Sequence, residues 1–516
     1  MPALLKRRTA IPAWAKSLLV LFMGLTAGVA VLGLPGALAA PARPDRPNII
    51  LILTDDLDAK SISVMPQLKT LIADQGTTFT NFFVTYALCC PSRSSILRGQ
   101  YVRNHQVLTN TPPSGGFEKF QAVGDDQSTI ATWLKAAGYR TTLMGKYLNG
   151  YPDRNNPTYV PPGWDEWYSP VTGSAYGNYN YRMNENGRLV EYGNTPQDYL
   201  TDVLARKASD VIRRATRDGT PFFIYLATYA PHAPATPARR HANAFPNTTA
   251  PRPPSFNEAD VSDKPAWVQD LPLLSPEQIT RINEQYRVRL RSLLAVDDLL
   301  ATLVDVLQNT GQLGRTYILF TSDNGFHLGE HRMLMGKNTA YDEDIRVPLI
   351  VRGPAVPARR TLEHLTLNID LAPTFAELAR AAVPAFVDGR SLVPLLGATP
   401  PPLAQWRQAF LVEHYVEPRR AEPPGAGERR APVRRGGGVP DLNGIRTQNA
   451  IYVEYGTGER ELYNLVTDPY ELQNLLRTVP ADLVAQFAAR LADLRRCAAA
   501  PCRTAENAPV PVIGNR

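Results

Sequence analysis

The chain is short of cysteine, of net charge and of long apolar runs, and each shortage removes a class of protein from consideration. Four cysteines serve 516 residues. Two of them, Cys89 and Cys90, are adjacent, which disfavours a bond between them: consecutive Cα atoms lie ~3.8 Å apart across a trans peptide, against the ~4.4–6.8 Å that a disulfide prefers. The net charge is +7, and residues 1–39 carry four cations (Lys6, Arg7, Arg8, Lys16) and no acid. Without that segment, +7 falls by four to +3. This is too little to point to nucleic acid, although a local basic surface can still draw an anionic substrate. Beyond residue 39 no apolar run reaches the ~18 residues of a membrane span. No internal repeat is present. Hydrophobic and charged fractions of 44% and 20% fit an ordinary globular chain, not a fibrous or wholly disordered one.

Proline, by contrast, is abundant. Its 46 residues are about twice the ~5% average, which predicts a loop-rich architecture with many fixed turns. The N-terminus reads as a signal peptide over residues 1–39: a basic stretch, the apolar run "SLLVLFMGLTAGVAVLGL", then "ALA" at 37–39. An uncleaved anchor is the alternative, and the expected membrane association is confined to that case. Arg7-Arg8 also permits twin-arginine export. The remainder is expected outside the cytoplasm, secreted, periplasmic or at the cell surface. In such oxidising surroundings Cys497 and Cys502, in "CAAAPC", are predicted to bridge and close a short terminal loop. "NTT" at Asn247 is a glycosylation acceptor in a host that glycosylates.

Five nearly continuous apolar runs predict strands covered on both faces: 48–54, 139–145, 222–228, 316–322 and 347–353. Helical patterns at 128–138, 199–216 and 279–311 alternate with them. The fold class is therefore α/β, a sandwich around a large, mostly parallel sheet, with its body over residues 45–398. After about residue 398 the composition changes. Three β runs ("FLVEHY", "GIRTQNAIYVEY", "ERELYNL") and an amphipathic helix ("VPADLVAQFAARLADLRRC") predict a small α+β subdomain over 405–516. Within it, the Pro-, Gly- and Arg-rich stretch 417–440 is expected to be a mobile, solvated loop.

Two of the strands end in oxygen-bearing side chains. The first runs into "LTDDLD", with Asp55 and Asp56, and the fourth into "TSDNG", with Asp323 and Asn324. Each alone reads as a turn or cap. Together they would meet at the carboxyl end of the sheet, where α/β proteins bind ligands. Three acids and an amide are a hard, all-oxygen set that suits Ca²⁺ or Mg²⁺ and not Zn²⁺. In "CCPSRSSILRG", Pro91 and Ser92 are good first-turn residues, so Cys89 or Cys90 falls at a helix N-terminus, with Arg93 one turn in. A thiol there is either a low-pKa nucleophile or a buried structural cysteine.

Cys-x-Pro-Ser-Arg followed by Leu and Gly resembles the signature of the formylglycine-dependent sulfatases, with Cys89 first. "PNIILILTDD", "GKYLNGY", "YAPHAP", "TSDNG", "GK" at 336–337, "DIRVPLIVRGP", "NIDLAPTFAELA" and "ELYNLVTDPYELQNL" follow in the family's order, from about residue 45 to 480. "CCPSR", "GKYLN" and "YVPPGWDEWY" are most similar to the N-acetylglucosamine-6-sulfatase and heparan 6-O-endosulfatase branch. The resemblance implies an alkaline-phosphatase-like sandwich, with the small C-terminal subdomain carrying an antiparallel sheet. It also implies that a formylglycine-generating or equivalent enzyme oxidises Cys89 to Cα-formylglycine, whose hydrate attacks the sulfur of a sulfate ester. Asp55, Asp56, Asp323 and Asn324 would hold Ca²⁺, or Mg²⁺, in contact with the modified Cys89. Arg93 would orient the hydrate, Lys146 and Lys337 would bind sulfate oxygens, and His232 would act as acid or sulfate contact. His327 is a candidate substrate contact, and a zinc pair with His331 is not expected. The implied substrate is a sulfate ester, a 6-O-sulfated N-acetylglucosamine-type carbohydrate. The alternatives are an arylsulfatase, a phosphonate or phosphodiester hydrolase of the same superfamily, or a silent glycan-binding relative. The chain departs from the family pattern at Leu148, where many members carry histidine, and at Arg98, where a small residue is usual. The Tyr- and Trp-dense segment 159–182 reads as either a sugar-stacking surface or a loop packed on itself.

Overall fold

The computed structural model describes residues 46–153, 155–173, 175–416 and 438–514, all within the compact unit that begins at Arg46. Residues 1–39, read above as a signal peptide, and most of the 417–440 stretch lie outside the described residues. Strand β1 (Asn48–Thr54) is buried along its whole length, as a run without polar alternation must be. Its residues alternate between two cores: Ile49, Leu51 and Leu53 join one, Ile50 and Ile52 the other. β2 (Arg140–Gly145), β3 (Phe222–Ala227) and β4 (Thr316–Ser322) run parallel to it in the order β2-β3-β1-β4. β5 (Leu349–Arg352) joins β4 antiparallel, which makes the ten-stranded sheet mixed but mostly parallel at its centre.

Helices cover both faces, giving the expected sandwich. On one face lie α1 (Cys89–Arg98) and its neighbours. On the other lie α2 (Leu200–Arg217) and α3 (Pro276–Asn309). α3 starts where the sequence dictates: Pro276 occupies its first turn, and Ser275 and Gln278 exchange hydrogen bonds as a capping box. The segment 159–182 takes a different form from the loop read in the sequence. Glu166–Gly173 adds to β2 as a parallel strand, and Tyr181–Glu185 and Arg188–Tyr192 extend the sheet antiparallel. Trp164, Trp167, Tyr168 and Tyr181 are buried, and Trp167 meets Tyr147 edge-on at 5.0 Å. Most of its rings therefore fill core.

The C-terminal part is a four-stranded antiparallel sheet, β6 (Ala409–His414), β7 (Leu442–Thr447), β8 (Ala450–Tyr455) and β9 (Arg460–Asn464). Helix α4 (Ala481–Arg496) follows, and its Phe487 packs on Tyr452 of β8. The sequence reading expected three β runs here; the second is a hairpin. Gln448 and Asn449 form its turn, and Thr447 Oγ1 accepts the Ala450 N–H at 2.9 Å, closing it. Cys497 and Cys502 are bridged, while Cys89 and Cys90 are free and buried. No helix among the described residues is long and apolar enough to cross a membrane.

Candidate active site

Because β1, β2, β3 and β4 are parallel, their carboxyl ends open on one rim, and the chain leaving each delivers a different group there. β1 delivers Asp55 and Asp56, and β4, paired with it in register at Thr54 and Ser322, delivers Asp323 and Asn324. β2 ends at Gly145, with φ +89° and a Cβ position only 1.9 Å from the Ala227 carbonyl. A side chain cannot fit there, so glycine lets the chain turn Lys146 into the rim. β3 leads to His232. α1 begins at Cys89, and Lys337 arrives on the loop after β4.

These groups meet around the Cys89 thiol. Cys89 Sγ lies 3.5 Å from Asp55 Oδ1 and 3.9 Å from Asp56 Oδ1, and Lys337 Nζ approaches it to 2.7 Å. Lys146 Nζ donates to Asp55 Oδ2 at 2.7 Å. Lys337 Nζ also donates to Asp56 Oδ1 and stands 3.5 Å from Asn324 Oδ1. Asn324 Nδ2 donates to Asp56 Oδ1 at 2.8 Å. Arg93, wholly buried, donates from Nε to Asp323 Oδ2 at 2.8 Å and from Nη1 to the Lys146 carbonyl at 2.9 Å. His232 Nε2 stands 3.6 Å from Asp56 Oδ2, and its Nδ1 lies 2.7 Å from the Ala233 carbonyl. Asp56 itself has φ +63°, a left-handed conformation that costs an L-residue about 1–2 kcal/mol and recurs at functional sites.

Three buried carboxylates here face three cations, Arg93, Lys146 and Lys337. Burial alone would raise Asp55, but Lys146, His232, Arg93 and Lys337 together hold it well below the usual carboxylate range. Asp56 is likewise lowered against its burial, chiefly by Lys337. Burial pushes the Cys89 thiol up to about 12 in spite of Lys146 and Lys337. Its place at the start of α1 therefore does not produce the low-pKa thiolate that one reading of the sequence required.

The arrangement can hold a cation. Asp55, Asp56, Cys89 and His232 bring ligand atoms within 4.8 Å of one another. The Lys337 ammonium already touches Asp56, Asn324 and Cys89 together, so positive charge is accommodated where these donors converge. Three side chains to which the sequence assigned no role also belong to the neighbourhood. Tyr176 lies 4.6 Å from the His232 ring and beneath Lys146 Nζ at 5.3 Å. Asp344 accepts from His327 Nδ1 at 2.9 Å and from Thr339 Oγ1 at 2.7 Å. Arg289 donates to the carbonyl of Asp56. The excess of aromatics around 176 and the place of Asp344 at the head of "DIRVPLIVRGP" were the available signals among them. His327 is buried against Gly336, where a Cβ would come within 3.2 Å of its Nε2. His331 turns away to Glu258 at 2.7 Å, so the two histidines serve different carboxylates.

The fold and the ring of strand-end acids around Cys89 define a hydrolase of the alkaline-phosphatase-like class, and comparison with known proteins narrows it. A solved structure described as a complex with its substrate D-glucosamine-2-N,6-O-disulfate superposes with a TM-score of 0.72 at 26% identity, covering 87% of this chain and 98% of that one. The family model described as Sulfatase matches residues 47–381. The N-acetylglucosamine-6-sulfatase of Homo sapiens is 36% identical over 518 residues, 96% of this chain and 91% of that protein. The extracellular sulfatase SULF-1 homolog of Drosophila melanogaster is 37% identical over 378 residues, 72% of this chain and 33% of that protein. The chain belongs to the formylglycine-dependent sulfatase family, in its N-acetylglucosamine-6-sulfatase branch, and is a sulfuric ester hydrolase.

Proposed function

We propose that this sulfatase removes the 6-O-sulfate of an N-acetylglucosamine-type sugar, with Cys89 converted to Cα-formylglycine and Ca²⁺, or failing that Mg²⁺, held by Asp55, Asp56, Asp323 and Asn324. The observation that carries the chemistry is Cys89 Sγ at the start of α1, set among Asp55, Asp56 and Lys337. The substrate is supported by the likeness to the Homo sapiens relative along 96% of the chain and by the glucosamine disulfate bound in the structural neighbour. When present, the formylglycine hydrate supplies the nucleophile, and the cation offsets charge on the sulfuryl oxygens.

The chain's own residues do the rest. Arg93 locks the first turn of α1 to Asp323 and to the Lys146 backbone, which holds residue 89 still. Lys146 and Lys337 direct ammonium groups into the same space and bind sulfate oxygens. A divalent cation added to the three acids and three bases leaves the site net positive, complementary to a sulfate ester anion. His232 donates Nδ1–H to Ala233, so Nε2 is the atom that carries the proton to or from the leaving oxygen. His327, bound through Nδ1 to Asp344, better suits holding the Gly336–Lys337 turn than touching substrate. In this reading residues 45–398 carry the chemistry and 405–516 support it. Residues 1–39 direct export, in keeping with the extracellular relative, and a modifying enzyme acts on Cys89 before the protein is active.

The test is mass spectrometry of the peptide spanning Cys89, from protein made in its own host, beside an assay of sulfate release. Formylglycine makes the peptide ~18 Da lighter. N-acetylglucosamine 6-sulfate should be hydrolysed in preference to an aryl sulfate, and phosphate esters spared. An unmodified thiol in fully active enzyme would remove the formylglycine step. Turnover of the aryl sulfate without the sugar sulfate would remove the substrate assignment.

A further inference from the structure

We propose that Arg289, in the middle of α3 and outside every recognised motif, is a positioning residue that fixes Asp56 and His232 relative to each other for sulfate ester hydrolysis. The inference rests on the function proposed above. Arg289 is fully buried. Its Nη2 donates to the Asp56 carbonyl, and its Nη1 donates to the Pro231 carbonyl at 3.3 Å. Asp58 Oδ2 lies 3.4 Å from Nη2. Phe326 presents its ring 4.1 Å from the guanidinium carbon. One planar group therefore touches the chain leaving β1, the chain leaving β3 and the chain leaving β4. Each of these segments bears a group of the site within two residues: Asp56 itself, His232 beside Pro231, and Asn324 two before Phe326.

Asp56 gives the contact its consequence. With φ +63°, its backbone is not where a strand would carry it unaided, and something must hold both sides of the peptide. Asp323 Oδ1 accepts the Asp56 N–H at 3.1 Å, and Arg289 binds the Asp56 carbonyl. The same fork reaches the carbonyl that precedes His232, so one planar guanidinium ties the backbone of Asp56 to that of His232 from beneath. Lysine cannot reproduce this, because its donors radiate from a single nitrogen, whereas guanidinium offers a fixed planar array. The burial is also costly for what it gains in stability. Its Nε finds no hydrogen-bond partner, and buried charge of this kind is commonly matched or bettered by apolar side chains. A residue kept at that cost in the core of α3 serves geometry.

The experiment uses the full-length, modified enzyme with N-acetylglucosamine 6-sulfate as probe, comparing Arg289→Met, Arg289→Lys and Leu300→Ala. Leu300 is a buried residue on the same helix, three turns, or about 16 Å, beyond Arg289. Misplacing reacting groups by about 1 Å costs ~100-fold in rate. Accordingly kcat should fall ~100-fold in Arg289→Met with KM changed by less than about threefold. Arg289→Lys should recover only part of kcat, and Leu300→Ala should melt lower yet keep kcat. As a second readout, the Ca²⁺ concentration that half-raises the melting temperature should increase ~10-fold or more in Arg289→Met, because the Asp56 carboxylate is no longer presented. Unchanged kcat in either folded Arg289 variant overturns the proposal. So does an equal loss of kcat in Leu300→Ala, or failure of both Arg289 variants to fold, since Arg289 would then serve the fold. A wild-type protein with neither sulfate release nor a Ca²⁺ response would sink the functional reading first, and this inference with it.

Discussion

Cys89 and Cys90 share a residue type, a burial class and a peptide bond, yet their surroundings separate them. Cys89 Sγ faces acids and a lysine, whereas Cys90 joins the apolar core and its N–H donates to Asn110 Oδ1 at 2.8 Å. Cys89→Ala should therefore lower kcat by about 10⁴-fold or more, the scale of losing a nucleophile, while Cys90→Ala keeps most of it. Equal losses, measured as sulfate release at matched folded concentration, would contradict this division. A second residue contributes to the loss of stability in acid. Buried His105 accepts the Val107 N–H on Nδ1 at 3.2 Å and meets Ser95 Oγ through Nε2 at 3.0 Å. Burial, with Arg98 adding to it, pushes its pKa down to about 3 from an ordinary 6.5. Between those values the unfolded chain binds more protons than the folded one, so His105 withdraws stability as pH falls below 6.5. The slope approaches about 1.4 kcal/mol per pH unit. Urea unfolding at pH 7 and pH 5 should show wild type losing stability relative to His105→Asn; parallel losses would remove the assignment. At this scale the site was legible where a residue ends a strand or opens a helix. Arg289 and Tyr176 were not, because an arginine inside an amphipathic helix and a tyrosine among tyrosines look ordinary until neighbours arrive; Asp344 opens a family motif, but its partner His327 is visible only in the fold.

The elements were legible in proportion to how local their cause is. β1 and β4 occupy the predicted residues because an unbroken apolar run has one outcome in a sheet covered on both faces. α3 starts at its cap for the same local reason. The β7–β8 hairpin was merged into one run because its turn, Gln448-Asn449, lacks glycine and is closed by the Thr447 hydroxyl instead. The strand at Glu166–Gly173 was missed because its aromatics disguised core as surface. Packing between elements also links the small sheet to the site. Arg446 on β7 donates from Nε and Nη2 to the two Asp342 oxygens, each at 3.1 Å. Tyr341 donates to Glu461 of β9 at 2.8 Å. These contacts anchor the far end of the loop that carries His327 and Lys337. Arg446→Met should cost less than the about 3–5 kcal/mol of a buried pair broken outright, since Arg346 still faces Asp342 at 2.6 Å. It should also lower kcat although residue 446 lies on the other sheet. A drop in melting temperature with kcat intact would show that the loop holds its shape without β7.

For the molecule as a whole, the sequence by itself determined the fold class, the small C-terminal sheet, the terminal disulfide and the family. Each rests on local or sequential information: buried apolar runs, a change of composition, paired cysteines in a short loop, and an ordered series of motifs. It also placed Asp55, Asp56, Asp323 and Asn324 at one rim, since parallel strands share a carboxyl end. Only the tertiary structure decided how charge is shared there. It set Lys146 on Asp55, Lys337 between Asp56 and Cys89, and Arg93 under Asp323, and it buried the Cys89 thiol, which raises its pKa. It alone brought Arg289 across 233 residues of chain to the carbonyl of Asp56. The physical reason is range: backbone preference acts over a few residues, whereas desolvation and hydrogen bonding depend on which distant segments close around a group once the chain has packed.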